Sequence, residues 1–457
     1  MEKAVEEIKK VVGDEWVIRA PEKIKGYLTD ETAEPVRPEP CLEVVVVKPA
    51  STEEVSEVLK IANKYRIPVF PRGGGTGLVG GCIPTRKGIV LSLERMNKIE
   101  VDLDNLMAIA EAGATLRDLI EAAEKAGLFF PPHPGDEGAQ IGGLIACNAG
   151  GARAVKTGVM RNYVKGLEVV LPTGEILWLG GKLVKNNAGY DLMQLIIGSE
   201  GTLAVITKAV IRLYPKYEAT ATLIIPFNNR KDAVRAAPKI LQSGVIPLAL
   251  EYVERELVEK SASMLRLKWP CEEGKAYLLV ILAEQSEEAL MTLCEKVMNV
   301  CLEAGSLEPL IAERRDEQEN ILKIRSEIYT ALKPETVDIL DVAVPPALMG
   351  ELMDRIDEIA ERYGTYIPAY GHIGDGNLHP HIMAREGWPP ERYDAIRSEI
   401  YKAAVKLGGT ITGEHGIGAI RKDSLRKFLS GKEIKLMRQI KRIFDPNNIL
   451  NPGKVLP

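Results

Sequence analysis

Glu43-Val-Val-Val-Val47, the stretch from Ser51 to Ala62, Ile67-Pro-Val-Phe70 and Pro71-Arg72-Gly73-Gly74-Gly75-Thr76-Gly77 decide the fold between them. The first is a continuous β-branched run, as a strand buried on both faces requires. Ser51 and Glu54 then give a capping-box pattern, and Val55, Val58, Leu59 and Ala62 recur at helical spacing. Residues 67–70 read as a second strand, so the unit is β-α-β and it delivers the chain into a glycine loop. A dinucleotide fingerprint of the Rossmann kind has to open directly into a helix. Here Leu78-Val-Gly80-Gly81-Cys-Ile-Pro84 follows, too rich in glycine and proline to start one. That reading is excluded. Consecutive glycines still bare their amides and tolerate positive φ, so the loop is expected to form a nest for an anion.

Working outward, two more glycine clusters appear. Thr115 caps a helix carrying Leu116, Leu119, Ile120 and Ala123. Pro131-Pro-His-Pro134-Gly135-Asp136 then leads into Ile141-Gly142-Gly143 and Asn148-Ala149-Gly150-Gly151. Gly198-Ser199-Glu200-Gly201-Thr202-Leu203 precedes a strand-like run at 205–213. Any one cluster alone is a tight turn. Three of them, each beside an expected strand, favour a phosphate-bearing cofactor lying across several loops.

Beyond Tyr214-Pro215 glycine thins out. Amphipathic helices are expected at 287–303, 316–332, 346–363 and 390–407, with strands at 219–225, 246–253, 276–283 and 336–344. This is the pattern of an α+β domain whose antiparallel sheet is covered by helices. The stretch after Gly408 turns glycine-rich again and is expected to return to the first domain. The expected organisation is therefore a first domain at 1–215, a second at 216–408, and a returning segment at 409–457.

The chain of 457 residues, 46% hydrophobic and 27% charged, is long enough for two or three domains and rules out disorder. Its 59 basic against 64 acidic residues, a net charge of −5, argue against a nucleic-acid surface. No apolar run approaches the roughly 20 residues of a bilayer span. The opening residues are charged and amphipathic, so neither a signal peptide nor an anchor is expected there. Any membrane role would come through a partner. Six cysteines without a C-x-x-C pair imply reduced thiols, a cytoplasmic setting and no iron–sulfur centre in this chain.

Three of the five histidines fall within Tyr370-Gly-His372-Ile-Gly-Asp375-Gly376-Asn377-Leu-His379-Pro-His381. A spacing of seven would separate His372 and His379 by roughly 10 Å along a helix. In one continuous strand it would set them on opposite faces. Asp375-Gly376 is the preferred centre of a two-residue hairpin turn. Folding there predicts His372 directly opposite His379, with Cβ atoms about 5 Å apart, a geometry suited to a shared metal ion. His381 lies two residues further along the same face and could reach the same cavity. A hairpin with surface histidines is the bland alternative.

The last histidine sits in Gly413-Glu414-His415-Gly416-Ile-Gly418. Neighbouring side chains in extended backbone point opposite ways, so Glu414 is expected to face the metal and His415 the reacting carbon. Histidine is the natural proton acceptor near neutral pH. Arg325, on the expected helix 316–332, would suit a substrate carboxylate through its planar fork; an exposed helix arginine is the alternative.

Together these segments resemble the FAD-linked oxidase family of the vanillyl-alcohol-oxidase type, in its D-2-hydroxyacid dehydrogenase branch. The resemblance runs from about Cys41 to Lys454. It rests on PRGGGTGL at 71–78, IGG at 141–143, NAGG at 148–151, GYDL at 189–192, GSEGTL at 198–203, GHIGDGNLH at 371–379, GEHGIG at 413–418 and NPGK at 451–454, in the family's order. It implies an α+β architecture: a two-subdomain FAD-binding domain, a substrate cap with an antiparallel sheet, and a C-terminal segment packing back on the FAD domain. Pro71, Arg72, Gly73, Gly74, Gly75, Thr76 and Gly77 would cradle the pyrophosphate with Gly142 and Gly143. Gly135, Ile141, Asn148, Gly151, Gly158, Glu200, Gly201 and Ile206 would line the rest, with Asn451 near the ring. Members often attach the flavin covalently through a histidine of the first loop; this loop has none, so non-covalent FAD is implied.

By the same resemblance, His372, His379 and Glu414 match metal ligands, for zinc first and manganese or iron as alternatives. His415 matches the catalytic base, and Arg325 and His381 match substrate-binding positions. The implied reaction is oxidation of a 2-hydroxy acid to the 2-oxo acid, by hydride transfer or by Cα proton abstraction. Members acting on 2-hydroxyglutarate carry a lysine on the strand after the arginine helix, and Val337-Asp338-Ile339-Leu340-Asp341 has none. A small monocarboxylic substrate such as D-lactate or glycolate is therefore implied over D-2-hydroxyglutarate. Electrons would pass to an electron-transferring flavoprotein, an iron–sulfur subunit or a quinone system, and a homodimeric state stays open. The rivals are a non-catalytic flavin subunit of a larger redox complex and a metal-free oxidase of phenols or sugar alcohols.

Overall fold

The computed structural model describes residues 1–457. By internal contacts the chain divides into two compact units. Met1–Ala149, Val159–Lys216 and Glu414–Pro457 form the first; Gly150–Gly158 and Tyr217–Gly413 form the second.

In the first unit β1 (Val17–Ile18), β2 (Val44–Val47), β3 (Val69–Arg72) and β4 (Gly88–Ser92) make a sheet in the order β1-β2-β4-β3. β2, β4 and β3 run parallel, and every residue of β2 is buried, which is why its sequence is unbroken valine. α1 (Thr52–Tyr65) links β2 to β3, and the Ser51 Oγ accepts the Glu54 N–H at its start. A second, antiparallel sheet has β5 (Ile99–Asp102), β6 (Met107–Glu111), β7 (Val164–Val170), β8 (Ile176–Gly180) and β9 (Val205–Arg212) in the order β5-β6-β9-β7-β8. α2 (Leu116–Lys125) opens with a Thr115–Asp118 capping box, and α3 (Ile141–Cys147) packs on β9. Val58, Leu59, Ile89, Ile141 and Ile211 share one buried core.

The last segment of this unit closes a sheet edge. The Val69 N–H donates to the Ile449 carbonyl at 2.7 Å, and the Asn451 N–H to the Val69 carbonyl at 2.7 Å. Leu450 thus bridges β3 in parallel. The turn before it is held by Asp445, 1% exposed, whose carboxylate accepts the Ile449 and Leu450 N–H groups and the Lys441 ammonium.

In the second unit β10 (Ala219–Phe227), β11 (Ala249–Glu254), β12 (Ala276–Glu284) and β13 (Leu310–Ala312) form an antiparallel sheet in the order β11-β12-β10-β13. α4 (Arg230–Gln242) and α6 (Glu287–Glu303) pack on its strands. Tyr277 and Leu279 of β12 are buried with Val258 of α5 (Arg255–Leu265) and with Ile321 and Ile324 of α7 (Arg315–Ser326). A smaller sheet is centred on a strand at Asn377–Met383, which pairs antiparallel with β14 (Thr336–Ile339), β15 (Val342–Ala343) and β16 (Ala369–Tyr370); that strand is β17. α9 (Met349–Tyr363) and α10 (Pro390–Lys406) follow β15 and β17, and α10 packs on both.

Two elements differ from the sequence expectation. The helix at 316–332 breaks at Glu327 (φ −90, ψ 7), giving α7 and then α8 (Ile328–Leu332). The strand at 336–344 breaks after Ile339. Leu340 donates to the Pro380 carbonyl at 2.9 Å, but proline has no N–H to return, so the ladder lapses and resumes at Val342.

Candidate functional site

The first unit's glycine loop leaves the C-terminal end of β3. Gly75 has φ +76, and a Cβ there would lie 2.2 Å from the Arg72 guanidinium, so only glycine fits. Arg72 itself points away from the loop's outer side. It is 8% exposed and donates to the Gly26 and Thr29 carbonyls at 2.9 and 2.8 Å, bracing the loop from beneath. A Cβ on Gly73 would come within 3.6 Å of Gly143 Cα, whereas one on Gly143 would meet nothing within 4 Å. The loop and the first turn of α3 therefore meet backbone to backbone, with open space beside Gly143. Gly74, Gly77 and Gly135 are exposed, while Thr76 and Gly142 are half-buried.

Asn148 ends α3 in the left-handed region, and its Oδ1 accepts the Arg161 N–H at 3.0 Å. Glu200 accepts the Ile417 and Gly418 N–H groups at 2.8 and 2.7 Å, one on each carboxylate oxygen. Burial pushes its carboxyl above the usual range, against the pull of those two donors. Asn451 donates to the Glu200 and Gly81 carbonyls at 2.8 and 3.1 Å. Pro71 lies beside Gly201, and Ile141 and Ile206 are buried in the core of the first unit. Gly151 and Gly158 belong to the short segment grouped with the second unit.

The second unit holds a buried imidazole cluster, in which His372, His379 and His381 are 8%, 3% and 0% exposed. The predicted two-residue turn is not what forms. Tyr370, not His372, stands opposite His379, and Ala369 opposite Pro380. The chain closes through a longer loop in which the Asp375 and Asn377 N–H groups both donate to the His372 carbonyl, each at 3.2 Å. The reason is local: a type I′ turn needs positive φ at both central residues, and only Gly376 (φ +85) adopts it. The slip moves the pairing by two residues and so keeps both rings on one face. The His372 and His379 ring centroids are 5.3 Å apart and nearly perpendicular, and Tyr370 lies 5.5 Å from His379 and 5.3 Å from His381.

Two of the rings are anchored by hydrogen bonds, and the third lies beside an acid. His372 Nδ1 lies 2.6 Å from the Glu251 Oε1 and His381 Nδ1 3.1 Å from the Thr336 Oγ1, while His379 Nδ1 is 3.6 Å from the Asp341 Oδ1. Glu251, on β11 and 1% exposed, also meets Arg325 of α7 at 2.5 Å. Burial pushes the Glu251 carboxyl up, but Arg325 and then His372 outweigh it and hold it below the usual range. The Arg325 guanidinium sits over the Tyr370 ring at 4.8 Å. Asp341 accepts from the Asn377 amide at 2.9 Å and the Thr412 hydroxyl at 2.7 Å.

Glu251 and Asp341 are the members of this cluster that sequence reasoning missed. The available signal was an acid inside an otherwise apolar strand, as in Ala249-Leu-Glu-Tyr-Val253 and Ile339-Leu-Asp-Val-Ala343. A buried acid demands a partner.

The Gly413 N–H donates to the Asp341 carbonyl at 2.9 Å, and Glu414 is the next residue along the chain. Glu414 and His415 do not diverge as an extended backbone would make them. The chain bends through 413–415, and the His415 Nε2 comes within 3.8 Å of the Glu414 Oε1.

Residues 44–180 match a model described as FAD binding domain, and residues 216–455 match FAD linked oxidases, C-terminal domain. This chain belongs to the FAD-linked oxidase family. Among its relatives, a protein named D-lactate dehydrogenase from Archaeoglobus fulgidus is 48% identical over 94% of this chain and 95% of its own length. One named glycolate oxidase subunit GlcD from Bacillus subtilis is 39% identical over 90% and 88%. A rice protein named probable D-2-hydroxyglutarate dehydrogenase, mitochondrial, is 34% identical over 90% and 75%. The solved 4-ethylphenol oxidase from Gulosibacter chungangensis superposes with a TM-score of 0.79 at 21% identity, covering 100% of this chain and 97% of that one. At that identity the likeness speaks for the vanillyl-alcohol-oxidase type of fold. The chain is an FAD-dependent oxidoreductase, and no helix of it is long and apolar enough to cross a membrane.

Proposed function

We propose that the chain oxidises a small D-2-hydroxy acid, D-lactate or glycolate, to the 2-oxo acid and passes the electrons to a partner protein or a quinone. The observation that carries this reading is the buried Arg325–Glu251–His372 chain beside His379 and Asp341. A cation aimed over an aromatic ring, next to paired imidazoles, suits a ligand with a carboxylate and an adjacent hydroxyl.

The donor set of two histidines and a carboxylate fits a divalent ion, zinc before manganese or iron. His372, His379 and Glu414 would hold it, with Asp341 as a further carboxylate beside His379. Such an ion supplies Lewis acidity toward the hydroxyl and carboxylate oxygens of the substrate. Bound FAD, non-covalent because residues 71–77 contain no histidine, supplies the acceptor for the electron pair that leaves Cα. Arg325 binds the substrate carboxylate through the edge of its fork that Glu251 does not occupy. His415 accepts the hydroxyl proton on a ring nitrogen. His381 and the Tyr329 and Tyr370 rings around it, at 6.1 and 5.3 Å between centroids, restrict the substrate's other end.

The preference for a small acid has two supports. Ile339 faces His381 across the β14–β17 pair, and Asp338 is already neutralised by Arg397 at 2.6 Å, so no cation remains on β14 for a second carboxylate. The relatives named for D-lactate and glycolate are also more similar than the one named for 2-hydroxyglutarate.

The test is an anaerobic screen of D-lactate, L-lactate, glycolate and D-2-hydroxyglutarate for bleaching of the flavin spectrum, with and without chelator. The reading expects D-lactate or glycolate to bleach it and chelator to stop it. It also expects His415→Ala to keep FAD and lose reduction. No bleaching by any of the four acids overturns the reading.

A further inference from the structure

We infer that Glu251 is a positioning residue whose two carboxylate oxygens fix the His372 ring in its Nδ1–H form and aim the Arg325 guanidinium. The inference rests on the substrate and metal reading above and deepens it: one buried acid would set both the metal-binding nitrogen and the carboxylate-binding cation.

The geometry is closed on every side. Glu251 lies between Leu250 and Tyr252 on β11, and both neighbours are tied to the histidine loop. Tyr252 exchanges two backbone hydrogen bonds with Gly371, at 2.8 and 3.0 Å, and the Gly374 N–H donates to the Leu250 carbonyl at 3.1 Å. The strand carrying Glu251 is thereby clamped to the chain one residue before His372 and two residues after it. The side chain has no latitude: one oxygen lies 2.6 Å from His372 Nδ1, and the other 2.5 Å from the Arg325 guanidinium.

The chemistry of the donors settles the rest. Arginine can only donate, and an ionised carboxylate can only accept. The proton between Glu251 and His372 therefore sits on Nδ1, which leaves Nε2 as the ring's donor atom toward a metal. His381 follows the same rule by a different route. The Thr336 hydroxyl gives its one proton to the Leu332 carbonyl at 3.0 Å, so its oxygen accepts from His381 Nδ1 at 3.1 Å. Two rings of the cluster are thus held by Nδ1. A purely structural ion pair would need only Arg325 and Glu251. The short bond to His372 is what assigns the acid a role in the site.

The experiment uses the full-length, FAD-loaded protein stripped of metal, and compares the native chain with Glu251→Gln and Glu251→Asp. Zinc is titrated against a chromophoric competitor, FAD content is measured alongside, and the histidine ring nitrogens of the native chain are read by nitrogen-15 NMR before zinc is added. Expected are an Nδ1–H form for His372, zinc binding weakened roughly 10–100-fold in Glu251→Gln with FAD content unchanged, and partial recovery in Glu251→Asp. KM for the 2-hydroxy acid should rise in Glu251→Gln as Arg325 loses its anchor. An Nε2–H form for His372, or zinc binding in Glu251→Gln within about threefold of native, overturns the inference. A native chain that takes up no zinc overturns the metal assignment instead, and the ring measurement still decides Glu251. If Glu251→Gln does not fold, the NMR form and Glu251→Asp carry the decision.

Discussion

Replacing Asp445 by alanine should loosen the returning segment of the first unit more than any surface change, and its cost can be worked out from the contacts. The carboxylate is 1% exposed and takes two backbone N–H groups, Ile449 at 3.1 Å and Leu450 at 2.8 Å, besides the Lys441 ammonium at 2.5 Å. Breaking a buried ion pair by deleting one partner costs about 3–5 kcal/mol; here Lys441 keeps the Thr202 and Leu450 carbonyls, but the Ile449 and Leu450 N–H groups lose their acceptor as well. Lys441 is mostly buried, and burial already lowers the pKa of its ammonium. The Lys441→Met change should cost less, about 1–2 kcal/mol, since Asp445 keeps both N–H donors. Taking about 4 kcal/mol for Asp445→Ala, the melting temperature should fall by roughly 8–16 °C. Release of FAD fluorescence on heating measures it, because the segment borders the glycine loop through Val69 and Asn451. A fall of under about 3 °C, or one smaller than that of Lys441→Met, would refute the reasoning.

Three further outcomes are expected. In Gly376→Ala the new Cβ would lie 2.0 Å from the Val344 carbonyl oxygen at φ +85, so the histidine loop must move; zinc uptake and melting temperature should both drop, and an unchanged zinc affinity would count against the loop geometry. Burial lowers the Lys454 ammonium from 10.5 to about 8, so its contribution to stability is intact above 10.5 and is lost as pH falls through 8. Between pH 10 and pH 7 the native chain should therefore lose up to about 3 kcal/mol relative to Lys454→Met in urea titrations, and a flat difference would refute the assignment. Arg325→Lys should raise KM for the 2-hydroxy acid at least about tenfold while FAD stays bound, since an ammonium cannot meet Glu251 and a substrate carboxylate in one plane; steady-state kinetics decide it, and an unchanged KM would remove Arg325 from the substrate site.

Much of this architecture could be read from the residues because local and global signals agree in it. Val44–Val47 is buried on both faces and is all valine; Thr115 and Asp118 form the cap that their spacing promises; Glu287–Glu303 is a helix as its periodicity requires. The misreadings arise where a bond partner far along the chain decides. The break after Ile339 depends on Pro380 across the sheet, and the histidine loop's register on the backbone angle at Asp375. Glu251 and Asp341 could not be assigned from sequence, because an acid in a strand is marked only by the arginine or imidazole that the fold brings to it. The histidines themselves were visible, but the partners of their ring nitrogens were not.

The bridge between Leu450 and Val69 has a consequence for biosynthesis. The strand that launches the glycine loop leaves the ribosome early, while the residues that seal its border emerge after the whole of Tyr217–Gly413. A nascent chain interrupted anywhere in that stretch would carry an intact glycine loop with a raw strand beside it, competent neither to retain flavin nor to avoid pairing with a neighbour. Premature stop codons late in the gene should therefore give insoluble, colourless product.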